Sequence, residues 1–339
     1  MNFRIDKSLI AICVFAMSTT VADAEPVTFR ISSENNANHV NTRFLRDFAD
    51  RVNAAAGDKI HVELFDSGQL YKGRDVPRAL RQGSVEMAAV GTWQLGAVAP
   101  NVDLLFIPSF YGRKTDVLNA LVDGELGDTL DAEIGGKLNS VVLGRWIGFG
   151  EALTFGAGRP VSGFDDLKGM KVRIPGGLAN TARYKALGAV PTVVPWPDTQ
   201  LALQQGAVDG LLTTYETAAS AKLWESGVTT AFEDNQYFGY FVPIVSNAFW
   251  NKADPEVRDV LQTTWESMVD EGRTAAAQSQ GAARQTLIEN GVQITVPDPA
   301  ELDSIRTEMI AGEDALVDDL GADPKLYEQI KAALDASRQ

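Results

Sequence analysis

The sequence predicts an α/β protein built as two lobes. Short apolar strand runs alternate with helical runs along most of the chain, the order that covers a sheet with helices. Residues 25–339 are many for one hydrophobic core, and 45% hydrophobic composition leaves enough apolar surface for two. A short echo points the same way: ALRQGSVE from Ala79 to Glu86 matches ALQQGAVD from Ala202 to Asp209 at five of eight positions. Each copy reads as the end of a helix, a glycine able to take the left-handed cap, and the start of an apolar strand. Such junctions are common in α/β proteins, but the identities and the acid after each valine favour two lobes of similar build.

The elements follow in order. Val27–Ser32 is an apolar strand. Phe44, Leu45, Phe48, Ala49 and Val52 recur at helical spacing, and Gly57 ends that helix. Ile60, Val62 and Leu64 alternate as a strand that leaves His61 on the solvent side. Val76–Gln82 reads as a short helix with Pro77 near its start, and Val85–Val90 as a strand. Helices are expected over 116–122 and 127–137, then a strand over Ser140–Ile147. In the second lobe Lys171–Pro175, Thr192–Val194 and Val208–Thr213 are strands, a helix begins near Leu178, and Asp198 is placed to cap another. Tyr240–Asn247 (YFVPIVSN) returns the chain to the first lobe. Asp254 to about Asn290 lacks strong breakers and reads as one long or kinked helix, and a charged helical tail follows from Pro299.

The first 24 residues read as an export signal. Arg4 and Lys7 precede an apolar run from Leu9 to Met17, and Ala22-Asp23-Ala24 forms a small-x-small cleavage site. The run is too short to span a bilayer. Cys13 does not fit a lipoprotein attachment, because Ile12 stands where a small residue is expected. It leaves with the signal, so the exported chain has no disulfide, thiol nucleophile or cysteine metal site. The formal net charge of -15 argues against a nucleic-acid partner but not against a small anion held by one local cation.

The chain is poor in catalytic chemistry. Two histidines, His39 and His61, exclude a His₃ zinc site. No G-x-S-x-G, P-loop or EF-hand loop is present, and Gly148-Phe149-Gly150 does not complete a dinucleotide fingerprint. Glu151 and Glu216 are candidates for paired acid/base work or for rim and hinge acids. No cofactor and no metal is expected.

Arg173 is the strongest functional residue. It lies in a strand alternation with Met170, Val172 and Ile174, at an end closed by Pro175-Gly176-Gly177 before a helix. The carboxyl end of a strand facing a helix start is where open α/β sheets hold ligands, and a guanidinium fork matches a carboxylate. The alternative is a surface ion pair with Asp165 or Asp166.

The segment DLKGMKVRIP, followed by LGAVPTVVPW and ALQQGAVDG, resembles the DctP-type substrate-binding proteins of tripartite ATP-independent periplasmic (TRAP) transporters. A weaker resemblance covers FRISSENN, LFDSGQL and VSNAFWNKADPEVRDVL. The resemblance implies a two-lobed clamshell like other periplasmic binding proteins, with a long helix bracing both lobes. It divides the chain into a signal (1–24), lobe one (25–150 plus about 239–279) and lobe two (151–238 plus about 280–339). It also implies that Arg173 binds the substrate carboxylate and that Trp196 stacks on the ligand; a tryptophan between prolines is otherwise a packing anchor. Thr213 stands where relatives with sialic-acid-type ligands carry an asparagine, with Tyr215 and Glu216 following. Trp93 faces the cleft or packs in the core, and Glu34 and Asn35 are the first-lobe groups expected to meet Arg173. Tyr237, with Phe238 and Tyr240, forms an aromatic wall or hinge packing. Leu153 stands where some relatives have a second arginine, which favours one carboxylate gripped strongly.

The expectation is therefore a monomeric periplasmic protein, not an enzyme, that captures a small organic acid and delivers it to the membrane subunits of an ion-gradient-driven permease. An ABC-type binding protein is set apart by the DLKGMKVRIP and VDG motifs. The alternatives are a carrier of a zwitterionic compatible solute, with Glu34, Glu151 or Glu216 meeting the cationic group, and a secreted carboxylate-dependent hydrolase or lyase.

Overall fold

A computed structural model describes residues 27–336; the expected signal segment lies outside the described residues. These residues form ten strands: β1 (Val27–Ser32), β2 (Ile60–Phe65), β3 (Met87–Gly91), β4 (Ser140–Val142), β5 (Ile147–Gly156), β6 (Lys171–Ile174), β7 (Val190–Val193), β8 (Gly210–Thr213), β9 (Thr230–Ser246) and β10 (Gln293–Thr295). Their order is β2-β1-β3-β9-β5-β8-β6-β7, with β4 and β10 also pairing with β9. The first lobe holds the parallel β2-β1-β3 group and the second the parallel β8-β6-β7 group. Antiparallel β5 and β9 run through both lobes and join them.

The sequence echo is a structural repeat. In the first copy Ser84 N–H donates to Ala79 O at 2.9 Å, and in the second Ala207 N–H donates to Ala202 O at 3.0 Å. Gly83 and Gly206 take the left-handed conformation, φ 71° and 66°, that this closure requires. One junction feeds β3 and the other β8.

The long helix spans Pro255–Glu289. Trp265 is fully buried and meets Phe44 and Phe48 edge-on in the first lobe. Further along, Gln280 donates to Phe149 O and accepts from Glu216 N–H at 3.1 Å. The helix thus touches both lobes. The helices Pro299–Ala311, Glu313–Leu320 and Pro324–Ala336 pack on the turns over 100–110 and on the helix Leu178–Ala186. Glu313 accepts from the backbone and hydroxyl of Ser109, each at 2.6 Å. Among the described residues no helix is long and apolar enough to cross a membrane.

Two reciprocal contacts hold the lobes together. Asp103 of the first lobe accepts from Leu178 N–H at 3.2 Å, the start of a second-lobe helix. Glu216 of the second lobe accepts from Val40 N–H at 2.8 Å, the start of the first-lobe helix Val40–Ala56. Each carboxylate meets the positive end of a helix. Burial pushes their carboxyls up, Asp103 to about 6 and Glu216 to about 7.

Three local expectations are corrected. The run Ser140–Ile147 is broken by bends at 144–145, so β4 ends at Val142 and β5 starts at Ile147. β5 then continues to Gly156, and β9 begins at Thr230, ten residues before the apolar signal that marked its second half. Asp198 sits at a helix start but makes no capping bond. Its carboxylate instead accepts from Lys72 Nζ at 2.6 Å, an ion pair between the lobes.

Candidate functional site

A small cavity of about 30 Å³ lies between the lobes. Glu34 and Asn35 reach it from the loop after β1, and Trp93 from the turn after β3. Arg173 and Pro175 come from the end of β6, Trp196 from the turn after β7, and Thr213 and Thr214 from the end of β8. Phe149, Ala152, Tyr237 and Phe241 close it from β5 and β9. The site forms at the carboxyl ends of the parallel strands of both lobes, as open α/β sheets dictate. The turn after β6 makes the approach possible. Gly176 and Gly177 have φ of 140° and 87°, and a Cβ on Gly176 would lie 3.0 Å from the Trp93 carbonyl across the cleft.

Arg173 is 3% exposed. Its Nε donates to Val194 O at 2.9 Å and its Nη1 to Leu212 O at 3.3 Å, so backbone carbonyls fix the guanidinium. Its Cζ stands 5.4 Å from the centre of the Trp196 ring. Among the described residues it makes no ion pair within 4.0 Å; Asp165 binds Lys168 and Asp166 accepts from Ser162. Burial pulls its pKa down to about 10, against the opposing fields of Glu34 and Tyr237. Glu34 is partly buried, accepts from Gln94 Nε2 at 2.6 Å, and is pushed up to about 7 by burial, opposed by Arg173. The cavity therefore holds a fixed cation and a carboxyl poised near neutrality.

The walls are aromatic. Trp93 packs on Phe149 and Phe241 with ring centres 5.3 and 5.4 Å apart, so it both lines the cleft and belongs to the core. Its indole Nε1 is buried without a hydrogen-bond partner, as is Asn35 Oδ1. Thr214 and Thr217 bond each other at 2.9 Å, and Thr217 meets His39 Nε2 at 3.0 Å. His39 sits one layer behind the wall as the N-cap of its helix, with burial lowering its pKa to about 3.

The structure gathers Arg173, Trp196, Thr213, Trp93, Glu34, Asn35 and Tyr237 around this cavity. It places Glu151, Tyr215 and Glu216 elsewhere. Glu151 and Tyr215 line a second cavity of about 350 Å³ behind β5 and β9, together with Leu153, Glu233, Phe238 and Gln280. Strand alternation explains the split: Ala152 and Tyr237 face the cleft, while Glu151, Leu153 and Phe238 face the rear. Leu153 thus does not face the ligand side, and the cleft residue of that segment is Ala152. Glu216 is engaged in the lobe contact with Val40. Phe149, Ala152, Thr217 and Phe241 are cleft residues that the sequence reading missed. For Phe149 and Ala152 the signal lay in the alternation of β5, obscured by the glycines of GFGEALTFG and by register shifts between β5 and β9. Among the described residues no group of three or more His, Cys, Asp or Glu side chains is placed to hold a metal ion.

A two-lobed α/β frame closed over one buried arginine defines a small-molecule binding protein. Residues 31–315 match the model of the bacterial extracellular solute-binding protein family 7, the DctP family, and the chain belongs to that family. The sialic acid-binding periplasmic protein SiaP of Vibrio cholerae is 24% identical over 87% of this chain and 90% of its own. The C4-dicarboxylate-binding periplasmic protein DctP of Rhodobacter capsulatus is 24% identical over 94% of this chain and 96% of its own. A TRAP periplasmic solute-binding protein of Sulfurospirillum deleyianum, solved with bound succinate, superposes with a TM-score of 0.83 at 24% identity, covering 91% of this chain and all of that one. The family is one of periplasmic solute-binding proteins of transporters, not of enzymes.

Proposed function

We propose that this protein captures a small organic acid in the cleft, with its carboxylate on Arg173, and hands it to the membrane subunits of an ion-gradient-driven TRAP permease. The observation that carries the reading is Arg173 itself, a buried guanidinium between the lobes that is held by two backbone carbonyls and, among the described residues, makes no ion pair. A carboxylate there completes a charge-assisted pair in a water-poor setting. Trp196 and Tyr237 then cover the ligand, and Thr213 offers a hydroxyl beside it. The relatives that bind C4-dicarboxylates and sialic acid support the carboxylate, not its size. The basic, apolar, small-residue start of the chain supports export to the periplasm with cleavage near Ala24, and we take the working form as a monomer.

A thermal-shift and calorimetric screen of organic acids on the purified protein tests the reading, together with mass spectrometry of molecules released on denaturation. A ligand at a hundred times its dissociation constant adds about 2.7 kcal/mol to stability. Saturable binding of a carboxylate without turnover is expected. A ligand lacking any carboxylate, or turnover of a bound acid, overturns it. Small-angle scattering with that ligand should show a more compact molecule as the lobes close.

A further inference from the structure

We infer that His39 is a positioning residue for ligand capture whose two ring nitrogens serve different lobes: Nδ1 caps a helix of the first, and Nε2 ties that helix to the Thr214–Thr217 wall of the second. The inference rests on the reading of the cleft as a clamshell that closes on its ligand. His39 precedes the helix Val40–Ala56, and its Nδ1 accepts from Asn41 N–H at 3.1 Å. A nitrogen that accepts carries no proton, so the neutral ring holds its proton on Nε2. Burial, with Arg43 adding to it, keeps the ring neutral. Nε2 donates to Thr217 Oγ1 at 3.0 Å, and Thr217 Oγ1 lies 2.9 Å from Thr214 Oγ1. Both threonines line the cleft. One ring thus joins a first-lobe helix start to the second-lobe wall.

The ring has little freedom to turn. It is fully buried, with the Phe149 and Phe241 rings of the cleft wall centred 6.2 and 6.3 Å away. The seam around it is built from contacts of the same kind. Val40 N–H donates to Glu216 Oε1 at 2.8 Å, Asn36 Nδ2 donates to Ser220 O at 3.3 Å, and Glu216 Oε2 lies 3.0 Å from Nε2 itself. Each joins the segment 36–40 to the segment 216–220, so all are lost when those segments part. The Nδ1 bond lies within the first lobe and survives. Opening the cleft therefore breaks the Nε2 bond and leaves the cap in place. A ligand that closes the cleft restores the Nε2 bond, which adds to affinity although His39 stands behind the wall.

The two nitrogens can be separated. An asparagine's amide oxygen reaches where Nδ1 sits, and a glutamine's amide nitrogen reaches where Nε2 sits. His39→Asn keeps the cap and loses the tie, His39→Gln keeps the tie and loses the cap, and both lose the ring's packing. Calorimetry and stopped-flow release on the full protein use the tightest binder among succinate, D-erythronate and D-glucuronate. His39→Asn should weaken binding about three- to tenfold, mainly through faster release, and should unfold in urea no earlier than His39→Gln. His39→Gln should bind within about twofold of wild type yet unfold earlier than wild type. In a Thr217→Val background, His39→Asn should cost about twofold or less. Equal affinity in wild type and both His39 variants overturns the inference. So does a glutamine variant as weak as the asparagine one, which leaves only ring packing, or an undiminished cost of His39→Asn in the Thr217→Val background. Those outcomes leave the clamshell reading intact; it fails if the wild-type protein binds an acid without becoming more compact in small-angle scattering, and this inference falls with it. If none of the three acids binds the wild-type protein, this inference falls, and the carboxylate reading then stands or falls with the wider acid screen.

Discussion

β5 and β9 separate a front cavity of about 30 Å³ from a rear cavity of about 350 Å³, and the larger one is the poorer ligand candidate. Both are walled by the same two strands and both hold charged side chains. Behind the strands two of the charges, Glu233 and Arg273, have already found partners. Glu233 accepts from Arg284 at 2.7 Å and from the Tyr215 hydroxyl at 2.5 Å, and Arg273 binds Asp123 at 2.6 and 2.7 Å. In front, Arg173 makes no ion pair among the described residues and is held by backbone carbonyls alone. Our choice of the front cavity as the proposed site therefore rests on a buried guanidinium left without a counter-charge, not on volume.

The sharpest way to break this contrast is to remove one arginine from each side. Arg173→Ala should cost about 2–5 kcal/mol of binding to the best carboxylate, the range for truncating one partner of a buried charge pair. Arg173→Lys should lose part of that, because it keeps the charge but not the planar fork. Arg273→Ala breaks a rear pair and should leave affinity unchanged within error. Calorimetry on the three variants decides it; an equal loss from both alanine variants would erase the distinction between front and rear.

Two tryptophans sharpen it next. Trp196 is only partly buried and stands beside Arg173, so Trp196→Ala should weaken binding by about 1–2 kcal/mol with little change in urea unfolding. Trp265 is fully buried in the brace between the long helix and the first lobe. Its truncation should cost about 3–5 kcal/mol of stability, and its folded fraction should still bind. Large destabilisation from Trp196→Ala with normal affinity would make it a packing anchor after all.

Much of this architecture was legible in the sequence because local signals and packing agree. The helix-Gly-strand echoes closed as matching turns, and the breaker-free stretch became the helix Pro255–Glu289. Arg173 was legible because a strand alternation, a Pro-Gly-Gly turn and a family motif coincide on it. What stayed hidden depends on strands whose neighbours are distant. β5 and the first half of β9 carry glycines, bulges and mixed polar residues, including Asn235 with φ of 41°, and they become strands only by pairing with each other. Their irregular register decides which residues face the cleft, so Glu151 and Leu153 fell on the far side of a boundary that sequence spacing alone cannot draw.

The smallest expected effect contrasts two acids raised by the same cause. Burial pushes both Glu34 in front and Glu151 behind above the usual carboxylate range, Glu34 to about 7. Glu34 feels the Arg173 charge, and a ligand carboxylate arriving on that arginine adds a negative neighbour and offsets the cation. Its pKa must rise further in the complex, so binding takes up a proton near neutrality. Affinity should be highest below about pH 7 and fall about three- to tenfold as the pH rises to about 9. Stability follows the same sign. A native pKa above the unfolded value means a penalty that is absent below about pH 4 and complete above about pH 7. Glu34→Gln should therefore flatten the affinity profile and gain stability over wild type chiefly at higher pH. Glu151→Gln, on the rear face away from the ligand, should leave the affinity profile as steep as before. Titrating affinity from pH 5.5 to pH 9 in all three proteins checks the pair. A flat wild-type profile would remove the coupling between Glu34 and Arg173, and a profile flattened by Glu151→Gln would mean that the strands transmit charge between the two cavities.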